Sequence, residues 1–180
     1  NIVANQWQEQ VEVFPLALSN KTGLVCIFGG GTGASLVKGW ANAPDYFMDW
    51  VPCVTLDSVI GERLRDRKSL VLVDIEGAER LMLEGAGRVL RHEPKPVWLV
   101  EICVAEHQPK GTAINPNLVS TFAAFWNEGY VAFAVGKQLH PVQPEEVEQI
   151  SRTGKDTLPA HNFLFIERSR AQEWLAYLEQ

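Results

Sequence analysis

Apolar and polar positions along the chain change period repeatedly, and each change marks an element. Residues 11–18 (VEVFPLAL) predict a strand closed by the turn-forming run Ser19-Asn20-Lys21-Thr22-Gly23, and LVCIF at 24–28 predicts a second, followed by GGGTG. The stretch 34–50 contains Pro44 and several aromatics and has no clear period. VPCVTL at 51–56 is again strand-like, and Asp57 is placed to cap the short helix DSVIGERL through its carboxylate. Residues 69–74 (SLVLVD) are apolar without alternation, the pattern of a central strand buried on both faces.

In the second half Leu81, Met82, Ala86, Val89 and Leu90 recur at helical spacing, with Gly85 and Gly87 expected to break the helix in two. VWLVEI at 97–102 is another buried run, with Glu101 near its carboxyl end. Asn115 and Pro116 supply an N-cap and a first-turn proline for a helix whose stripe is Leu118, Val119, Phe122, Phe125 and Trp126, stopped by Gly129. YVAFAVG (130–136) and NFLFIE (162–167) predict two strands that pair antiparallel, and the 25 residues between them suggest a lid or substrate loop. Ser169 to Gln172 fits a capping box for a last helix carrying Trp174, Leu175 and Leu178. Strands alternating with helices indicate an α/β domain of three layers.

Composition narrows the function classes. Sixteen Lys and Arg against twenty-two Asp and Glu give a net charge of −6, which argues against a nucleic-acid partner, since phosphate binding needs clustered cations. No apolar run approaches the ~18–20 residues that span a bilayer, and no signal-peptide pattern opens the chain, so no membrane partner is expected. Cys26, Cys53 and Cys103 are odd in number, widely spaced and each set in a strand-like run, which fits buried free thiols in a reducing cytoplasm. His92, His107, His140 and His161 show no H-x-x-x-H or H-E-x-x-H spacing, so no metal site is expected from them.

Chemistry is expected beyond the carboxyl ends of the strands, where open α/β sheets bind ligands. Asp74 and Glu76 follow one predicted strand and Glu101 ends the next, so the three carboxylates converge if those strands are neighbours. The alternative is structural, with Glu76 capping a helix and Glu101 paired to a loop base. Gly29-Gly30-Gly31-Thr32-Gly33 comes directly after a strand and contains G-x-G, but the third glycine of a dinucleotide turn is missing and Pro44 interrupts any helix beyond it.

The block TLDSVI (55–60), LVDIEGAERLMLEGA (72–86) and VWLVEI (97–102) resembles the FkbM family of S-adenosylmethionine-dependent methyltransferases. Members of that family read T-L-D before a helix, then a strand ending D-x-E-G-A-E, a G-A further on, and a strand ending V-E. VEVFPLALSNKTG is similar to an upstream segment of the family and HNFLFIE to its closing strand, so the resemblance covers roughly residues 10–168. It implies a Rossmann-like class I methyltransferase fold over residues 1–180, as a single domain with a mostly parallel sheet, an antiparallel edge strand and helices on both faces. It implies S-adenosylmethionine as cofactor and O-methyl transfer to a small-molecule hydroxyl acceptor, a sugar or similar metabolite. On this resemblance Asp74 lies at the cofactor–substrate junction, Glu76 and Glu101 orient the hydroxyl or act as base, His107 is a possible base, and Ala17 and Leu18 lie near the adenine. The family's cofactor turn and first two strands would precede the helix-like NIVANQW segment, so the chain is expected to be the carboxyl-terminal part of such a domain, with unpaired strand edges.

Two other functions compete. A degenerate family member without cofactor would serve as an interaction module. A genuine nucleotide turn at LVCIFGGGTG, with Asp57 as ribose acid, would place Gly29 to Gly33 between strand and helix at the centre of a sheet.

Overall fold

The computed structural model describes residues 1–178. In chain order the strands are Ala17–Leu18 (β1), Gly23–Phe28 (β2), Met48–Val54 (β3), Leu70–Val73 (β4), Val97–Glu101 (β5), Tyr130–Val135 (β6), Leu139–Val142 (β7) and Asn162–Glu167 (β8). The helices are Leu56–Ile60 (α1), Glu79–Glu84 (α2), Leu118–Trp126 (α3), Pro144–Thr153 (α4) and Ala171–Leu178 (α5). They build two sheets, a three-stranded one ordered β1-β3-β2 and a five-stranded one ordered β4-β5-β8-β6-β7.

This topology overturns the Rossmann-like expectation. Within the larger sheet only β4 and β5 run parallel, while β5–β8, β8–β6 and β6–β7 are all antiparallel. β1 and β3, which a mostly parallel sheet would have absorbed, form a separate small sheet in which β1 and β3 are parallel and β3 and β2 antiparallel. The SLVLVD run forms an edge strand instead of a central one: among the described residues β4 pairs only with β5, and Leu70 and Leu72 stand 65% and 67% exposed. An apolar run says that a strand avoids polar side chains, and here only one of its faces is covered.

Several local readings change for traceable reasons. The strand expected over 11–18 shrinks to Ala17–Leu18, and the NIVANQW segment makes turns instead of a helix. Thr55, not Asp57, caps α1 by accepting from the Ser58 amide, and the Asp57 carboxylate accepts the Arg88 and Val89 amides at 3.0 Å, capping the single turn Val89–Arg91. Asn115, three residues before α3 begins, accepts from the Asn117 amide and donates its side-chain amide to the Cys103 carbonyl, tying that helix to the loop after β5. The supposed lid contains β7 and α4, with Pro144 at the first helical position and Glu145 and Glu146 in its first turn, where the helix dipole favours them. The pairing of β6 with β8 is antiparallel as expected, with Ala132 opposite Phe165.

The core lies on one face of the larger sheet. Trp98, Val100, Phe163, Phe165, Ala132 and Ala134 point from the strands into α2, α3 and α4, which contribute Met82, Phe122, Phe125, Val147 and Ile150. The Phe125 and Phe165 rings stack at 3.8 Å and Phe122 meets Phe163 edge-on at 4.9 Å. Each such ring contributes roughly 1.5–3 kcal/mol by leaving water. On the opposite face Trp174 and Leu175 of α5 cover Val97, Phe133 and Ile166, a smaller patch that leaves Leu70 and Leu72 in solvent.

Gly85 ends α2 with a negative φ, so close approach, not handedness, explains it: a β-carbon there would run into the Ser19 carbonyl oxygen and meet the Thr55 β-carbon at 3.0 Å. This contact seats the small sheet on α2. Gly85→Ala is therefore expected to cost about 1–3 kcal/mol by overpacking, read as a lowered urea midpoint. Gly87→Ala, whose added carbon meets only the flexible end of Arg91 at 3.3 Å, is expected to leave stability within about 0.5 kcal/mol of wild type or raise it.

Candidate functional site

The parallel pairing of β4 with β5 sets the site. Val73 lies opposite Val100, and continuing that register places Asp74 level with Glu101 at the same end of two adjacent strands, roughly 4.8 Å apart in strand spacing. Asp74 is exposed and Glu101 half-buried. Burial raises the Glu101 carboxyl above its ordinary range, the Asp74 and Glu76 charges push it further, and His107 and His161 pull it back. The acids expected to converge do so, and His107 is close enough to act on them.

Glu76 is fixed by a residue whose segment has no sequence period. The turn after β4 puts Glu76 at φ 54° and Gly77 at φ 91°. A β-carbon on Gly77 would lie 2.5 Å from the Trp40 indole, so glycine in D-I-E-G-A serves the left-handed turn and makes room for that ring. Trp40 is almost fully buried, and its Nε1–H donates to Glu76 Oε2 at 2.8 Å, while the Ser35 hydroxyl donates to the Glu76 carbonyl. On its other side the Trp40 ring lies 6.0 Å from the His107 ring, and the Ala41 amide donates to the His107 carbonyl at 2.8 Å. His107 also has positive φ, at 62°. Two non-glycine residues held left-handed around one indole mark a site where the surroundings over-determine the backbone.

Glu79 begins α2 and is 2% exposed, accepting the Gly77 amide at 2.9 Å. Its burial, helped by repulsion from Glu76 and Asp74, pushes its carboxyl up from 4.5 to about 7. Burial and the same group of acids push the Cys103 thiol up to about 12, so it is no nucleophile at neutral pH. Among the described residues no Lys or Arg forms an ion pair with Asp74, Glu76, Glu79 or Glu101. The crevice is therefore negative and suited by charge to a cationic ligand.

Ala17 and Leu18 are not brought to these acids. They lie in β1, and the next residues, Ser19 and Asn20, contact Gly85 and Glu84 at the far end of α2. The glycine run is also displaced from any central position. It comes after β2, the edge of the small sheet, and makes one 3₁₀ turn at Gly31–Gly33 with Gly30 against the Phe47 ring, which removes the nucleotide-turn reading with Asp57 as its ribose acid. Among the described residues no helix is long and apolar enough to cross a membrane.

Glu79→Gln tests the electrostatics. The unfolded Glu79 ionises above about pH 4.5 while the folded one keeps its proton to about pH 7, so its ionisation destabilises the fold progressively between those values. Wild type is expected to lose up to about 3 kcal/mol relative to Glu79→Gln on going from pH 4.5 to pH 8, measured by urea unfolding at both. Parallel stability curves for the two proteins would show that the carboxyl is not held protonated.

Compared with known proteins, no family model, curated protein or solved structure matches the chain.

Proposed function

We propose that this end of the sheet is the acceptor side of an O-methyltransferase that takes its methyl group from S-adenosylmethionine and delivers it to a hydroxyl of a small metabolite or sugar. The observation that carries the reading is that β4 and β5 run parallel and end in neighbouring acids, Asp74 directly after β4 and Glu101 closing β5, with the Glu101 carboxyl made more basic by its burial and its neighbours. S-adenosylmethionine would supply a methyl group on a positively charged sulfur, and the uncompensated carboxylates suit a cation there. Ala17 and Leu18 lie away from that point and take no part in the proposal. Glu101 receives the proton that the acceptor hydroxyl loses, and Asp74 orients the same hydroxyl. Glu76, fixed by the Trp40 indole, holds a second contact, and His107 across that ring is an alternative proton acceptor. Alignment and proton acceptance are what such a displacement needs from a protein.

A reducing cytoplasmic setting belongs to the same proposal and is supported by Cys26, Cys53 and Cys103 all being free thiols. The acceptor is a small molecule and not a nucleic acid, consistent with the net charge of −6.

One observation favours the alternative of an interaction module without cofactor. On the sheet face that also carries exposed Leu72, which lies opposite Leu99, a groove of about 820 Å³ is lined by Leu99, Val135, Leu139 and Leu164 together with Gly136, Lys137 and Gln138. Calorimetric titration of S-adenosylmethionine, with the chain extended by the upstream cofactor segment that the resemblance implies, separates the two readings, since only the first expects heat there. Methyl transfer to a panel of hydroxylated sugars and polyketides is then expected to fall by about 10²–10⁴ in Glu101→Gln and Asp74→Asn. Wild-type rates in both variants would overturn the assignment.

A further inference from the structure

Next to the acid crevice lies a second group of side chains from three separate segments. Glu106 sits in the loop after β5, Asp156 in the loop after α4, and His161 immediately before β8. One donor atom from each lies within 4.8 Å of the other two. His161 Nε2 is 2.7 Å from Asp156 Oδ2, and its Nδ1 is 3.3 Å from Glu106 Oε2. The backbone holds this arrangement: the Ile102 amide donates to the His161 carbonyl at 2.8 Å, locking the end of β5 to the start of β8, and Asp156 Oδ1 accepts the Leu158 amide at 3.0 Å.

Two carboxylates share one imidazole here, and no Lys or Arg pairs with either among the described residues. Even with His161 protonated the group carries a net negative charge, and Glu101 feels His161 directly, so the imidazole already serves two sets of acids. Burial is graded, with side-chain exposures of 19% for Asp156, 25% for His161 and 47% for Glu106, which leaves an open side toward solvent. Two carboxylate oxygens and one imidazole nitrogen form a mixed hard and borderline donor set, and two negative charges with a neutral imidazole match a dication.

We propose that Glu106, Asp156 and His161 bind a divalent first-row transition cation, with solvent completing its coordination on the open side. Small side-chain rotations bring the three donors to ligand–ion distances of roughly 2.0–2.2 Å. One ring nitrogen of His161 ligates, and the other keeps its N–H for hydrogen bonding, which orients a metal-bound imidazole. The inference stands apart from the methyl-transfer reading, because binding of the ion alone is what it asserts.

Mn²⁺ is the probe, since it avoids the three thiols that would confuse Zn²⁺. Titrating chelator-treated chain with Mn²⁺ while following the electron paramagnetic resonance signal of the free ion is expected to show one saturable equivalent. Asp156→Asn and His161→Gln should each weaken that binding at least tenfold, while Glu148→Gln on the exposed side of α4 should not. Selective paramagnetic broadening of the His161 ring protons in unmodified protein is the second readout and needs no variant to fold. Failure to saturate at millimolar Mn²⁺, equal binding in both site variants, or an unbroadened His161 ring would each overturn the proposal.

Discussion

The parallel pairing of β4 with β5 is the constraint on which the rest of the site depends. A parallel pair brings the carboxyl ends of two adjacent strands to the same edge of the sheet, and the offset that sets Val73 against Val100 decides which acids meet. A slip of one residue would turn Glu101 to the opposite face and separate it from Asp74. That register is held from one side only. β5 is clamped by β8, whose Phe163 and Phe165 sit in the aromatic core, so the position of the acids depends on packing well away from them.

Trp40 supplies the second anchor. The segment that carries it has little regular structure, yet its indole is buried against Gly77, bonded to Glu76 and close to His107. A loop otherwise tethered through turns is thus tied to both the β4 turn and the β5 loop by one side chain. The arrangement couples the small sheet's long connection to the chemistry at the end of the large sheet.

Much of this was legible in the sequence, and the rest was hidden for physical reasons. Apolar runs ending in Asp74 and Glu101 announced two strands and their acids, because buried strands and strand-end polar residues leave strong local signals. The strand order did not, since β8 inserts between β5 and β6 from about sixty residues away in sequence and no local period encodes such a partner. The segment around Trp40 carries no period because its residues are fixed by tertiary contacts. Helix α4 did leave signals in Pro144, the two glutamates after it and the Val147–Ile150 pair, which loop length and polarity masked. The grouping of Glu106 and Asp156 with His161 spans some fifty residues, beyond any ligand-spacing rule. The mostly parallel sheet implied by the resemblance is absent, because three of the four strand pairings in the larger sheet are antiparallel.

The open edge of β4 has a consequence for the chain as a material. Leu70 and Leu72 stand in water beside a row of backbone groups that no strand among the described residues pairs, which is a template for edge-to-edge sheet growth between molecules. The net charge of −6 opposes such encounters by mutual repulsion, and salt screens that repulsion over about 10 Å at 0.1 M. Colloidal behaviour is therefore set by a balance between one short apolar strand and the charge of the whole molecule, and ionic strength is the variable that tips it.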